Sequence, residues 1–223
     1  MTTGVKERRS HEGKGGQART RLARRAVIQA ARVLFLERGY AATTIEAISE
    51  ESDVPPATVY RLFSSKLGIL KALLDVSIAG DDEAVPLQNR PHARALFDDP
   101  HPRNQLSGFA GITGGIMSRA EPDNRNLVSA AGSDPDAAAL LAEQARQRDQ
   151  GQQQIARSLA RAGALRPGLR ERDAADIIHA LMSPEVYRLL VGDRGWSAGQ
   201  YEQWLAGILI GQLLPPSPGR ASA

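Results

Sequence analysis

Thr43-Thr44-Ile45-Glu46-Ala47-Ile48-Ser49-Glu50-Glu51-Ser52-Asp53-Val54-Pro55-Pro56-Ala57-Thr58-Val59-Tyr60-Arg61-Leu62-Phe63-Ser64-Ser65-Lys66-Leu67-Gly68-Ile69-Leu70-Lys71 decides the fold of this 223-residue chain. It reads as two short amphipathic helices joined by a tight turn. Thr43 and Thr44 offer hydroxyls to cap a helix that starts at Ile45. Ile45 and Ile48 share one face, while Glu46, Glu50 and Glu51 face water or support the helix start. Asp53 stands where the chain must turn sharply, and Asp tolerates left-handed backbone angles better than most residues. Val54 anchors the turn. Pro56 suits the first turn of a second helix, because its missing N–H costs nothing there. Val59 and Phe63, four apart, point back at Ile48. The opposite face carries Ala57, Thr58, Tyr60 and Arg61, which are small, hydroxylated, aromatic and cationic. That mixture suits a major groove, with Thr58 and Arg61 on base edges. The segment is a helix-turn-helix.

Composition agrees. Hydrophobic residues make up 42% of the chain and aromatics 4%. Ala and Leu dominate, which favours helices over strands. There is no cysteine, so disulfides, thiolate metal sites and cysteine redox sensing are excluded, and a reducing cytoplasm fits. No apolar run approaches the ~20 residues of a membrane helix, and the basic N-terminus lacks the apolar core of a secretory signal. Residues 1–25 hold eight Lys or Arg against two Glu, although the whole chain is only +3. Positive charge gathered at the end that leads into a helix-turn-helix is the footprint of a nucleic-acid binder.

The region from Arg21 to Leu74 resembles the DNA-binding domain of the tetracycline-repressor (TetR) family. The resemblance rests on a first helix, Arg21 to Arg38, with Ala30, Leu34 and Phe35 inside and Gly39-Tyr40 at its end. It rests further on Val54, Ala57, Thr58, Val59, Tyr60, Phe63, Ser65 and Lys66 at fixed spacing. The chain departs from the pattern at Asp53 (usually Gly), Pro55 (often Ser), Leu62 (commonly His or Tyr reaching a phosphate) and Leu67 (frequently Glu). The resemblance implies that Arg21, Thr44, Pro56, Ala57, Thr58, Tyr60, Arg61 and Lys66 face DNA, with Tyr60 and Lys66 on phosphates. Residues 161–209, especially Ser183-Pro184-Glu185-Val186-Tyr187-Arg188-Leu189-Leu190, also resemble C-terminal domains of one branch of the family.

The expected organisation is all-α. A basic disordered arm (1–20) leads into a three-helix helix-turn-helix domain (21–66). A helical ligand-binding and dimerisation domain (67–214) follows, then a disordered tail (215–223). Around the domain boundary, Lys66–Ile78 reads as a fourth helix with a leucine stripe. Gly80 to Pro91 reads as a loop whose Asp81, Asp82 and Glu83 are solvated rather than metal ligands. Helical patterns then run from Pro102, over Asn124–Ala131, from Pro135 to about Ala162, over Glu171–Met182, over Glu185–Val191, and from Ser197 to Leu214.

No catalytic, cofactor or metal constellation stands out. His11, His92, His101 and His179 are scattered, and no phosphate-cradling Gly loop or nucleophile motif is present. Gly108, Gly111, Gly114 and Gly115 lie inside an apolar helical pattern and read as close helix packing or as space for a pocket. Trp196 and Trp204 read as packing residues. The last helix is apolar over a broad face that must be covered, and the family resemblance implies a dimer through Tyr201, Trp204, Leu205, Ile208 and Leu209. It also implies a small, often hydrophobic effector, for which Phe109, Ile112, Ile116, Met117 and His179 are the candidate walls.

The function that follows is a cytoplasmic, homodimeric transcriptional regulator. It binds double-stranded DNA at a palindromic operator, as a repressor released by a hydrophobic small molecule. An all-α enzyme or lipid-binding module fused to a helix-turn-helix, and an effector-independent architectural DNA binder, are the alternatives.

Overall fold

The computed structural model describes residues 4–80 and 90–216. The acidic loop Asp81-Asp82-Glu83 and most of the C-terminal tail lie outside the described residues. All described regular elements are helices: α1 Gly4–Ala42, α2 Ile45–Ser52, α3 Pro56–Phe63, α4 Lys66–Ala79, α5 Pro91–Asp98, α6 Pro102–Ala131, α7 Pro135–Arg161, α8 Glu171–Leu181, α9 Pro184–Tyr187, a π-helical turn Arg188–Asp193, and α10 Ala198–Leu213. The all-α expectation is therefore met.

Three elements differ from the expectation. Helix α1 starts at Gly4, so residues 4–20 continue the first helix instead of forming an irregular arm. Ala, Arg, Gln and Leu between Gln17 and Ala26 are good helix formers, and extending an existing helix costs far less than starting one. Helix α5 falls in a stretch that carries no clear apolar period; Pro91 opens it at the first helical position. Helix α6 passes through Pro122 without a break, where the sequence suggests a separate short helix from Asn124.

The chain divides into two compact units. One comprises the described residues up to Val76 together with Pro122–Leu140; the other comprises Ser77–Glu121 and the chain from Leu141 onward. The division thus falls at Val76 rather than at Lys66, and a distant corner, the end of α6 and the start of α7, joins the first unit.

In the first unit, Val27, Ala31, Leu34 and Phe35 of α1 are 0–2% exposed, an i, i+4, i+7, i+8 stripe that packs on α2 and α3. The helical path of α1 breaks at Gly39, φ 77°, a left-handed angle that glycine adopts without strain. The Tyr40 N–H that follows donates to Asn126 Oδ1 at 3.1 Å, which ties the α6 end to this corner. In the second unit, Leu106 and Phe109 of α6, Leu159 of α7 and Ile178 of α8 share a core with Tyr201, Leu205, Leu209 and Leu213 of α10. Each such aliphatic side chain contributes about 1.5–3 kcal/mol by leaving water. Phe97 of α5 meets Phe109 edge-on at 4.9 Å. A Cβ on Gly108 would lie 2.0 Å from a Leu96 methyl, so this glycine serves close packing of α5 on α6.

Candidate nucleic-acid interface

Helix α2 is set by its start. Thr44 Oγ1 accepts the Ala47 N–H at 3.1 Å, satisfying an orphan donor of the first turn. Thr43 does different work: it is fully buried, and its hydroxyl donates to Gly39 O at 2.9 Å. Ile45 and Ile48 face inward. Asp53 ends α2 in the left-handed region, φ 52° and ψ 35°, as its place in the sequence suggests. Its N–H donates to Glu50 O at 3.3 Å, and the Val54 N–H to Ser49 O at 3.2 Å. The Ser49 hydroxyl donates back to Val54 O at 2.6 Å. This buried pair closes the turn from both sides. Sequence reasoning passed over Ser49; the signal was a small polar residue beside Ile48 on the inner face, where only a hydrogen-bonded hydroxyl is tolerated.

Helix α3 begins at Pro56, and its first turn uses the Pro55 carbonyl, which accepts from Thr58 N–H at 2.8 Å and Val59 N–H at 3.1 Å. Val59 and Phe63 are 0% and 7% exposed. Burying them turns the other face outward: Pro56, Ala57, Tyr60 and Arg61 are exposed and Thr58 is half-buried. Thr44 at the head of α2 and Arg21 on α1 are exposed as well. These residues form the outward surface expected of a recognition element.

Lys66 departs from its expected role. Its ammonium donates to Tyr40 O and Thr43 O, each at 2.7 Å, and reaches Ala41 O at 3.5 Å. It also lies 4.3 Å from the Tyr40 ring centroid. An ammonium has three donors, and here they point to carbonyls of the α1–α2 corner, Tyr40 and Ala41 at the end of α1 and Thr43 just past it. Burial lowers its pKa, with Asp134 pulling the other way. Lys66 is a cap for the α1–α2 corner rather than a phosphate ligand.

The second unit redistributes the remaining candidates. Phe109 and Met117 are core residues, while Ile112 and Ile116 are half-buried. His179 is exposed, with Nδ1 2.8 Å from Gln152 Oε1 and 3.9 Å from Asp149 Oδ1. It does not join Phe109 and Met117 in one wall. Ala174 and Ile178 take the inner stripe of α8, and a residue 100° round from Ile178 faces out. A cleft of about 350 Å³ lies instead between Phe97 and the α7 residues Gln150, Gln154, Arg157, Ser158 and Arg161. On α10, Tyr201, Leu205 and Leu209 are 0% exposed within the unit. Side chains already dry in one copy bury nothing more against a second, so these three are core and not interface. Trp204 and Ile208 are half-buried and keep surface to offer. No described helix is long and apolar enough to cross a membrane.

Residues 27–73 match the family described as "Bacterial regulatory proteins, tetR family". An uncharacterised HTH-type transcriptional regulator, YvkB of Bacillus subtilis, is 42% identical over 48 residues, which is 22% of this chain and 25% of that protein. The match thus spans a quarter of the curated relative. Among solved structures, a putative transcriptional regulator from Saccharomonospora viridis in complex with choline gives a TM-score of 0.66 at 21% identity, covering 87% of this chain and 98% of that one. The fatty acid degradation regulator FadR from Bacillus halodurans gives 0.63 at 15% identity, covering 88% and 97%. The ketosteroid transcriptional regulator KstR2 of Mycobacterium tuberculosis gives 0.58 at 17%, covering 86% and 95%. At these identities the structures speak for the fold, and the N-terminal segment for the family: residues 27–73 carry the DNA-binding segment of the tetR family of bacterial regulatory proteins.

Proposed function

We propose that the chain is a cytoplasmic, sequence-specific DNA-binding transcriptional regulator, which acts as a homodimer on a palindromic operator and releases it when a small molecule binds the second unit. One observation carries the reading. Val59 and Phe63 are buried, so α3 turns Pro56, Ala57, Tyr60 and Arg61 outward together. A single helix reads only a few base pairs, so two are needed, spaced one helical turn (~34–36 Å) apart. Arg61 and Thr58 meet base edges, while Tyr60, Arg21 and the head of α2 hold phosphates. The effector is small and largely apolar. The structural neighbours described as regulators of ketosteroids and of fatty acid degradation, and as a choline complex, support a ligand of that size. Repression fits a protein whose bound state depends on the absence of ligand.

Selection from a pool of random duplexes tests this. Enrichment of an inverted repeat with half-sites one turn apart is expected, and Arg61→Ala should relax preference at one position per half-site at a cost of about 1–3 kcal/mol. A pool that emerges with no shared sequence overturns the reading.

A further inference from the structure

We infer that Arg24 is a phosphate clamp of the DNA-binding unit, held ready by the ring that ends the recognition helix; this rests on the DNA-binding reading above. Arg24 is exposed on α1, and its guanidinium carbon lies 4.8 Å from the centroid of the Phe63 ring. Phe63 is the last residue of α3 and is only 7% exposed. The guanidinium therefore sits over the end of α3, although it comes from another helix.

Three physical facts give that place a purpose. An eight-residue helix is about 12 Å long at 1.5 Å per residue, which is about the width of the major groove. A helix that presents its N-terminal residues to base edges thus brings its far end to the groove rim, where the phosphates run. The C-terminal end of a helix also favours a cation. Finally, a ring face takes up no conventional hydrogen-bond donor. The stacking fixes the long side chain and leaves the planar fork of N–H groups for an anion with two oxygens. Leu62, the neighbour of Phe63 on α3, has no polar side-chain atom to serve that rim. Arg24 supplies the missing cation from α1, already ordered, so less rotamer freedom is lost on binding.

The test uses the full-length protein, a fluorescent duplex of the selected sequence and a fluorescent duplex of scrambled sequence, titrated by anisotropy across a series of KCl concentrations. Arg24→Ala should weaken binding to both duplexes by the same factor, on the order of fivefold for each guanidinium removed. The slope of log K against log[KCl] should shrink by about 0.9 for each phosphate no longer neutralised. Arg24→Lys should keep the slope yet lose affinity, because it keeps the charge and loses the fork. Arg24→Gln, nearer in shape, serves should the alanine variant melt below the assay temperature. An unchanged slope in the neutral variants overturns the clamp, as does a loss confined to the selected duplex, which marks base readout. Wild-type protein that binds neither duplex overturns the DNA-binding reading itself, and the clamp with it.

Discussion

The Lys66 ammonium donates to the Tyr40 carbonyl at 2.7 Å and lies 4.3 Å from the centroid of the same residue's ring. One side chain thus ends α1 and fixes the corner from which α2 departs. Lys66→Ala would take the ammonium from the Thr43 carbonyl and leave the Tyr40 carbonyl only the Thr43 N–H at 3.3 Å. It should cost about 1–3 kcal/mol and leave the salt slope of DNA binding unchanged, read by denaturant melts and salt titrations. Lys66→Met keeps the stem and isolates the missing charge. The pH dependence has a defined sign. Burial holds the folded-state pKa below the free lysine value, so between the two the unfolded chain binds more protons. That group's contribution to stability therefore rises with pH through the window just below the ordinary lysine value, and falls as pH drops through the folded-state pKa. Lys66→Met should flatten that alkaline rise.

Asp53 pays for its turn in backbone angle. At φ 52° and ψ 35° a side chain with a Cβ is strained, by roughly 1–2 kcal/mol for a residue without a local polar partner. Asp53→Gly should therefore melt at or above the wild type, offset in part by the extra freedom of an unfolded glycine. Asp53→Val should melt clearly below it. The order Gly, Asp, Val in thermal unfolding checks this; a valine variant as stable as wild type would mean that the turn relaxes away from the left-handed region.

The parts legible in the sequence were those set by near neighbours. The Thr44 cap, the Asp53 turn and the inward pair Val59 and Phe63 all depend on residues within five positions. The parts that were not legible depend on distant partners. Nothing near Lys66 says that carbonyls 23 and 26 residues earlier will accept its hydrogen bonds. Nothing near Asn126 names the Tyr40 N–H, 86 positions away. Helix α5 hid in a polar stretch whose largest apolar anchors, Leu96 and Phe97, come at its end. Helix α10 was ambiguous for another reason. Apolar residues on several of its sides give no period to separate the face that meets its own core from one that meets a partner.

Tyr201 follows from that burial. Its ring is 0% exposed, meeting Tyr187 edge-on at 4.8 Å, and among the described residues its hydroxyl has no hydrogen-bond partner. Burial pushes its pKa up, so the phenol stays neutral. A buried donor left unmade costs about 1–3 kcal/mol. Tyr201→Phe should thus hold or raise the melting temperature, by about 2–4 °C per kcal/mol regained in a chain of this size. A fall in melting temperature would identify a partner for that hydroxyl.

Neighbouring positions on α10 differ in burial. Leu209 is 0% exposed and Ile208 is half-buried, one residue and about 100° apart on the helix. Leu209→Glu would place a carboxylate in the core of the second unit, beside Leu205 and Leu213. Without a partner for the charge, the cost is of the order that unfolds a marginal domain, about 4 kcal/mol or more. Loss of cooperative melting is expected. Ile208→Glu removes only a half-buried side chain from the edge of that core, so helicity should persist and melting should fall far less than in Leu209→Glu. If Ile208 and Trp204 join the two copies, the variant should sediment as a monomer and lose most of its operator affinity, since one recognition helix then binds alone. Retained dimer in Ile208→Glu would move the interface off α10. A Leu209→Glu variant that folds like wild type would mean that this face of the helix is wetter than its burial implies. Circular dichroism and sedimentation on the two variants, side by side, decide between core and interface at a single turn of helix.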